Sequence, residues 1–526
     1  MHLSKNQILP MIIIFFSVAV AIYFRPLLVI DETRYFGVAW EMYHGGNLLV
    51  PHLNGLPYDH KPPLLFWLIN LNWQLFGIDQ LSARFIPLLF ALGSMILVWQ
   101  IYKLLWPKDV LGIQSIMWVM AGSVAFSFYS TLFMFDIMLG FWVLLAIYGG
   151  LKAISEPSIK NFTIITIAIA FGILAKSPVV VAHLLPIYLF AHYFAKPNKR
   201  FYIGGMVALI VGIALALLWG VPAAIVGGKE YADGIFWGQY AGRAIDSFAH
   251  KRPFWWYLPW IPLVLFPWIL VAPFWQGTQE YFRTRVQDSG IRFLIVWIVG
   301  TLFIFSLISG KQLHYIVPEF GAFALLATRF ISIAKTETIR TRITGFIFLL
   351  SGIAVILIPF FTKGYLLIYL DRSAFWISGI ILSLFGLYFI LTHFKTKLQL
   401  LSLLAWGSLL IIFTLHYTLH LYLDTQDLSK FSQAVGKLQD KGITIVHYGK
   451  YHNQYQYLGR LKKPLVVLKS HGKFINYINK HPKSAIILYL KRKVPYNKEL
   501  LIESAKLRTT NILLLRAKDY KKLLQH

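Results

Sequence analysis

The ionisable residues at the edges of apolar segments are the first candidates for chemistry. Asp31 and Glu32 follow an apolar run, and Lys61 lies in the later stretch DHKPPLLFW. Asp136 and Lys176 also adjoin apolar segments, after STLFMF and GILA respectively. An ionisable group at a membrane boundary is costly, so it marks a candidate functional site. Because Lys and Arg bind phosphate groups, these residues predict a pocket for an anionic substrate.

Each of these residues also has a simpler interpretation. Asp31 and Glu32 favour the N-terminus of a helix over ETRYFGVAWEMY, since acidic side chains complement the helix dipole there. Lys61 precedes two prolines, which fits a solvated turn, and Lys176 fits a snorkelling anchor. Histidines near such positions are more often hydrogen-bonded interface residues than ligands. Residue type alone leaves both interpretations open, so the surrounding elements must decide.

Composition places these residues in an integral membrane protein. Hydrophobic residues make up 57% of the chain and the mean hydropathy is +0.61, whereas soluble domains are about 45–50% apolar. The absence of cysteine excludes a disulfide framework, a thiol nucleophile and thiolate metal sites. The net charge of +28 lies mainly in short loops and near the C-terminus. That distribution favours membrane lipid headgroups over nucleic acid as the anionic partner.

Apolar segments long enough to cross a bilayer recur along residues 1–423, the predicted transmembrane domain. A membrane-spanning helix needs about 20 such residues. We predict about thirteen spans, the first of them uncleaved, near 8–24, 84–105, 112–129, 137–152, 162–175, 179–195, 202–222, 259–275, 291–308, 315–333, 343–361, 373–392 and 399–420. Two long hydrophilic segments, 25–83 and 226–258, interrupt them.

The connecting loops predict the orientation. With the N-terminus in the cytoplasm, the short inside loops carry most of the basic residues, including KPNKR at 196–200, and the short outside loops carry few. Loops rich in Lys and Arg favour the cytoplasmic side. This orientation puts the candidate residues on the outer face, together with the C-terminal tail.

The tail predicts a separate basic α/β domain over residues 424–526. It holds 21 Lys and Arg against 6 Asp and Glu. Four strand-like runs, ITIVHY, PLVVL, AIILYL and NILLL, alternate with polar, helix-compatible stretches such as DLSKFSQAVGKLQ.

Several catalytic motifs are missing from the sequence. It has no P-loop, no GxGxxG after a strand and no HExxH. It also lacks an Asp-x-Asp pair that could hold the metal of a nucleotide sugar. A soluble activated donor therefore has no visible docking site, whereas a lipid-linked donor that enters from the bilayer needs none.

The order of motifs near the N-terminus resembles a known family. The stretch DETRYFGVAWEMYHGGNLLVPHLNGLPYDHKPPLLFWL, followed by LSARFIPLLFALGSMILVW, is similar to the bacterial lipid A aminoarabinose transferase and protein mannosyltransferase-like group of GT-C glycosyltransferases. The shared features are an Asp-Glu pair after the first span, a PHLNG-PY segment ending at Tyr58, a KPPL motif, and Arg84 opening the second span. Shorter matches occur at Asp136, at GILAKSP, at the loop from Arg243 to His250 with PFWWYLPW, and at SGKQLHYIVP.

The resemblance implies a GT-C fold with a periplasmic C-terminal domain, and an inverting glycosyltransferase. A sugar would move from undecaprenyl phosphate, or a related polyprenyl phosphate, to lipid A or another envelope glycan on the periplasmic face of the inner membrane. Asp31 would orient or deprotonate the acceptor, supported by Glu32. Lys61 and Arg243 would hold the departing lipid phosphate. The other implied site residues are the catalytic Asp136, the phosphate-binding Lys176 and Lys311, and the pocket residues Tyr58, His60, Arg84, His250, His314 and Tyr315.

One position departs from the family pattern. Lipid A transferases have Glu before the KPP lysine, where this chain has His60. Imidazole suits zinc, so His60 and His250 are the candidate ligands for a divalent metal, although two histidines do not make a complete site. The departure also leaves the aminoarabinose specificity open.

Two other functions fit the same features. One is transfer of the sugar onto protein Ser or Thr, although the basic tail favours an anionic lipopolysaccharide acceptor. The other is a transporter or flippase with a charged cavity. Transporters place their charges near the membrane midplane and often show repeated halves. Here the charges cluster at one membrane edge and no repeat is visible.

Overall fold

The computed structural model describes residues 4–238, 251–284, 288–335, 341–362, 371–491 and 494–523. The chain forms two compact units. The helical unit comprises Met1–Tyr23, His60–Leu64 and Gln80–Thr418, and the mixed unit comprises Phe24–Asp59, Leu65–Asp79 and Leu419–His526. The first long hydrophilic segment thus contributes mainly to the same unit as the C-terminal tail.

Helices dominate the described residues. In chain order, α1 to α22 are Lys5–Phe24, Asp31–Gly45, Leu64–Phe76, Gln80–Ala83, Ile86–Leu105, Val110–Gly122, Val124–Ser130, Phe135–Ser155, Ile159–Lys176, Val179–Leu189, Ala191–Phe194, Lys199–Gly227, Lys229–Asp233, Ile261–Val264, Ala272–Thr284, Ser289–Leu307, Phe320–Ile333, Arg342–Phe361, Arg372–Leu391, Lys397–Asp424, Ser429–Asp440 and His471–Lys480. Short 3₁₀ segments cover Phe254–Trp260, Trp268–Leu270, Leu313–Glu319, Lys498–Leu500 and Ala517–Lys522, and a π-helical turn covers Gly234–Gly238.

The helical unit is that of a multi-pass membrane protein. Among the described residues, ten helices are long and apolar enough to cross a membrane, or eleven if α6 and α7, bent by 60°, form one span. The predicted polytopic helical fold is therefore confirmed, and two of the predicted spans, 179–195 and 259–275, are short or broken helices. The predicted span 179–195 contains the short helix α10, which ends at Leu189. The predicted span 259–275 is broken into short pieces around four prolines, which remove backbone donors that a continuous helix needs.

Glycines set the packing of one pair of long helices. A Cβ atom added at Gly345 would lie 2.6 Å from the carbonyl oxygen of Gly386, and one at Gly352 would lie 2.5 Å from that of Gly379. The backbones of α18 and α19 therefore approach too closely for any larger residue at these positions. Small residues play this role between membrane helices because lipid offers little hydrophobic drive for their association.

A buried ionic cluster joins the α5–α6 loop to α16 and α17. Arg329 contacts Asp109 and Asp288, each with a nitrogen–oxygen distance of 2.9 Å. Tyr102 donates to Asp109 at 2.7 Å, and Trp106 donates to Asp288 at 2.9 Å. Burial raises the pKa of the Asp109 carboxyl, but the hydrogen bonds that it accepts outweigh burial and hold its pKa below the usual value.

The mixed unit contains the predicted α/β domain. Its strands are β3 (Ile445–Tyr448), β4 (Val466–Leu468), β5 (Ala485–Lys491), β6 (Leu501–Leu507) and β7 (Thr510–Arg516). The sheet order is β4-β3-β5-β7-β6. Strand β3 runs parallel to β4 and β5, whereas β7 is antiparallel to β5 and β6. The four predicted strands are confirmed. The edge strand β6 was missed, although LIESAKL alternates half-buried and exposed residues as an edge strand does.

A short hairpin attaches the first hydrophilic segment to this domain. Strands β1 (His52–Leu53) and β2 (Leu56–Pro57) are joined by Asn54 and Gly55, whose φ angles are 56° and 77°. The Glu41 carboxylate accepts from the Asn54 and Gly55 amides at 2.7 and 2.8 Å, and from the Asn453 side chain at 2.6 Å. The Asn54 side chain bonds both backbone groups of Leu465. The motif LPYDHKPP is thus preceded by a turn that the C-terminal domain holds in place.

The buried histidine of β3 predicts a pH dependence. His447 is fully buried among the rings of Tyr451, Tyr455 and Tyr489, and burial lowers its pKa from 6.5 to about 4. The folded unit therefore keeps His447 neutral while the unfolded chain binds a proton below pH 6.5. We expect the stability of the mixed unit to be unaffected by this residue above pH 6.5 and to fall by roughly 3 kcal/mol as the pH drops to 4.

Hydrogen exchange of the β3 amides, corrected for intrinsic rates, measures this stability across pH. His447→Phe keeps a ring of similar size without a titrating group, so it should remove most of the loss below pH 6.5. If wild type and His447→Phe lose the same stability below pH 6.5, His447 is not the group that causes the loss.

Candidate functional site

A buried carboxylate and a lysine form the centre of the candidate site in the helical unit. Asp136 lies in the first turn of α8 and is 2% exposed, and Lys176 is the last residue of α9. The Lys176 ammonium forms an ion pair with the Asp136 carboxylate. Each charge lies at the helix end that its sign favours. A paired charge can stay in a buried site, whereas an unpaired one is expensive.

Other polar side chains surround this pair. The Lys61 ammonium lies 5.4 Å from the ring centre of Phe135, and Lys176 lies 5.3 Å from that of Tyr315. Lys61 and His314 both interact electrostatically with Asp136. The structure therefore brings together Asp136, Lys176, Lys61, His314 and Tyr315, all of which the sequence analysis selected. With one carboxylate and two ammonium groups, the cluster has the charge excess that an anion requires.

Lys311, a predicted phosphate-binding residue, is bonded to the backbone. Its buried ammonium donates to the carbonyls of Ile308 and Arg252 at 2.6 and 3.1 Å. These bonds connect the turn after α16 to Arg252. The neighbouring residues Lys251 and Gly310 form an isolated antiparallel β-bridge. In this arrangement Lys311 stabilises the backbone, and its three donors are largely committed to carbonyl oxygens.

The other helical-unit candidates are peripheral or outside the described residues. Arg84 is buried and donates to the carbonyl of Ile22 at 3.3 Å, so it lies at the C-terminal end of α1. His60 is exposed. Arg243 and His250 lie outside the described residues. Within the described ranges, no three His, Asp or Glu side chains are placed to hold a metal ion. The assignment of His60 and His250 as ligands of a divalent metal therefore stays a prediction.

The Asp-Glu pair lies in the mixed unit, where Asp31 is the first residue of α2. The predicted helix start is confirmed. The Asp31 side chain is 57% exposed and pairs with Arg34 at 2.5 Å. Burial alone lowers the pKa of Arg34, but Tyr58, Tyr35 and Asp31 outweigh it and raise that pKa. Arg34 thus remains a permanent cation beside an accessible carboxylate.

Glu32 is buried, unlike its neighbour. Its carboxylate pairs with Arg25 at 2.8 Å and accepts from the Leu28 amide at 2.9 Å. Both side chains of the pair are at most 3% exposed. Glu32 therefore anchors the chain that leads into α2. Tyr58 is also buried, packs edge-on against Phe66 at 6.3 Å and follows the β1–β2 turn.

The sequence analysis missed two basic residues near Asp31. Arg34 has a visible signal, since it lies three residues after Asp31 on the same helix face. His452 has none, because it lies far along the chain. Burial lowers the pKa of His452, Arg34 and Lys450 lower it further, and Asp31 opposes them. The C-terminal domain thus brings a titratable group into the electrostatic range of Asp31.

The sequence is similar to two groups of lipid-linked sugar transferases. Residues 60–219 match the family model described as dolichyl-phosphate-mannose-protein mannosyltransferase. The chain is 26% identical over 334 residues to the undecaprenyl phosphate-alpha-4-amino-4-deoxy-L-arabinose arabinosyl transferase 2 of Proteus mirabilis, covering 62% of this chain and 60% of that protein. It is 29% identical over 305 residues to the enzyme of that type from Serratia proteamaculans, covering 56% and 54%. The similarity thus spans less than two thirds of these curated relatives.

The fold is similar over nearly the whole chain to a solved structure. ArnT from Cupriavidus metallidurans bound to undecaprenyl phosphate has a TM-score of 0.75 with 14% identity, and 97% of each chain is covered. The helical GT-C architecture with a small C-terminal α/β domain is therefore confirmed. The resemblance to the lipid A aminoarabinose transferase-like group is also confirmed.

The contrast between Asp31 and Glu32 gives a stability prediction. Glu32→Ala leaves the buried Arg25 guanidinium without its carboxylate, so we expect a loss of about 3–5 kcal/mol in unfolding free energy. Asp31→Ala removes an exposed ion pair and should cost less than about 1 kcal/mol. Thermal and denaturant unfolding of the detergent-solubilised protein compares the two variants. Equal losses contradict the structural assignment of Glu32.

Proposed function

We propose that this chain is an inverting glycosyltransferase that moves a sugar from a polyprenyl phosphate, such as undecaprenyl phosphate, to lipid A or another envelope glycan. The observation that carries the proposal is the buried Asp136–Lys176 pair with Lys61 beside it, in a chain with the fold of ArnT. That solved relative is bound to undecaprenyl phosphate, the leaving group that the proposal requires.

We assign Lys61 and Lys176 to the donor phosphate. Breaking the bond between the anomeric carbon and the phosphate oxygen leaves added negative charge on the phosphate. Two ammonium groups fixed beside that oxygen stabilise the charge as it develops. Asp136 holds Lys176 in position and balances its charge. The Tyr315 hydroxyl is a neutral donor for the same phosphate, and Arg243 supplies a further cation by resemblance.

We assign the acceptor to Asp31. By resemblance to the family, its accessible carboxylate takes the proton of an acceptor hydroxyl as the hydroxyl oxygen bonds to the anomeric carbon. When the acceptor is a phosphate, which is already ionised, Asp31 positions it instead. Arg34 then supplies positive charge beside an anionic acceptor. Glu32 is assigned to positioning, because its carboxylate is buried against Arg25.

The match to the protein mannosyltransferase model supports a second function, transfer to protein Ser or Thr. Both reactions use a polyprenyl phosphate donor, so they share the donor assignments. The basic tail, with 21 Lys and Arg against 6 Asp and Glu, favours an anionic acceptor such as lipopolysaccharide.

We also propose an orientation in the bacterial inner membrane. The N-terminus and the basic short loops face the cytoplasm, and the C-terminal domain faces the periplasm. The candidate site then lies at the periplasmic edge, where a lipid-linked donor enters from the bilayer. The basic loops contact anionic lipid headgroups.

The donor assignment predicts the effect of removing one cation. Lys61→Met should lower kcat/KM for polyprenyl phosphate sugar by about 10²–10³-fold, because a fixed electrostatic contact to the leaving group is lost. Purified protein, synthetic donor and lipid A acceptor measure the rate. Lys108→Met, at an exposed loop position, is the matched control. Equal kcat/KM for Lys61→Met and Lys108→Met contradicts the assignment of Lys61 to the donor phosphate.

The acceptor is tested in cells. Mass spectrometry of lipid A from cells with and without the gene should show a sugar substituent that disappears with the gene, and its mass identifies the sugar. Unchanged lipid A, together with loss of a sugar from periplasmic proteins, contradicts the lipid A acceptor and favours the second function.

A further inference from the structure

A second buried carboxylate lies one turn beyond the candidate site. Glu319 ends the 3₁₀ segment Leu313–Glu319, and its Oε1 atom lies 2.7 Å from Nδ1 of His183 in α10. Both side chains are 0% exposed. Neither residue was selected from the sequence, because each is a single polar residue within an apolar segment.

The two side chains depend on each other. Nε2 of His183 and Oε2 of Glu319 are buried and have no hydrogen-bond partner among the described residues. The bond from the His183 N–H to the Glu319 carboxylate therefore provides the polar contact that each group needs. Removing one partner leaves the other buried and unsatisfied.

The pair connects the two segments that carry site residues. Lys176 ends α9, and α10 begins two residues after Ser177, at Val179, so His183 lies one turn into the helix that follows Lys176. Glu319 lies one turn after Tyr315. The His183–Glu319 bond thus links the helix after Lys176 to the segment that contains Tyr315.

Neighbouring contacts connect the His183–Glu319 pair to the candidate site. The Phe305 ring lies 4.7 Å from that of His183 and 6.4 Å from that of Tyr315. One turn after Asp136, a Cβ atom added at Gly140 would lie 3.6 Å from the Cα atom of Pro318. The segment that ends at Glu319 is therefore packed against α8 on one side and linked to α10 on the other.

Apolar packing alone does not fix the position of α10 relative to the segment Leu313–Glu319. Lipid tails are as apolar as the side chains they replace, so helices in a bilayer gain little from hydrophobic contact, whereas a hydrogen bond between them is directional. We infer that His183 and Glu319 form a positioning pair that fixes Tyr315 relative to Lys176 for binding of the donor phosphate. This inference rests on the proposed function.

Four variants separate positioning from stability. Glu319→Leu and His183→Leu each leave one unsatisfied group, so both should lower the melting temperature. The double variant His183→Leu with Glu319→Leu replaces the pair by apolar side chains, so it should recover most of the melting temperature. We expect its KM for the polyprenyl phosphate sugar to stay raised by about three- to tenfold, the range of one interhelical hydrogen bond, with little change in kcat. Glu319→Gln still accepts from the His183 N–H and should keep KM within about twofold of wild type.

The same proteins are titrated with undecaprenyl phosphate alone, and the dissociation constant is expected to follow the KM pattern. A double variant with wild-type KM and dissociation constant overturns the inference, because the pair then contributes only stability. Wild-type protein that binds undecaprenyl phosphate but transfers no sugar contradicts the proposed function and leaves the dissociation constants as the test of positioning. Wild-type protein that does not bind undecaprenyl phosphate overturns both the proposed function and the positioning role of the pair.

Discussion

The structure depends on one constraint, which is that a charge buried in a membrane must be paired. The described part of the helical unit meets this constraint at three places that share the same design, a carboxylate held by a base: Asp136 with Lys176, Asp109 and Asp288 with Arg329, and Glu319 with His183. Each arrangement joins segments that are distant in sequence. Because lipid offers little hydrophobic drive between helices, such bonds decide which faces meet.

The same constraint separates structural charges from those available for chemistry. Glu32 pairs with Arg25, and Lys311 donates to two backbone carbonyls, so both side chains stabilise local structure. Asp31 remains 57% exposed although it is paired, and Lys61 adds charge beyond the balanced Asp136–Lys176 pair.

Short sequence patterns were enough to predict elements whose formation depends on neighbouring residues in the chain. The helix beginning at Asp31 and four strands of the tail followed from acidic residues at a helix start and from short apolar runs. Hydropathy located the apolar segments but not their breaks, because an average over a window does not register that prolines divide residues 259–275 into short helices. Partners distant in sequence were not predictable from one chain. Nothing local links Glu41 to Asn453 or His183 to Glu319, and both bonds appear only once the fold is formed.

Direct labelling of the lipid phosphate site tests the central claim, which is that Lys61, Lys176 and Tyr315 surround the donor phosphate. A polyprenyl phosphate analogue with a photoreactive group next to the phosphate is cross-linked to the purified protein, and the labelled peptides are identified by mass spectrometry. We expect labelling of peptides that contain Lys61 or Tyr315, and loss of that labelling when undecaprenyl phosphate is in excess. Competed labelling confined to other peptides, such as those of the Asp109–Arg329 cluster, contradicts it.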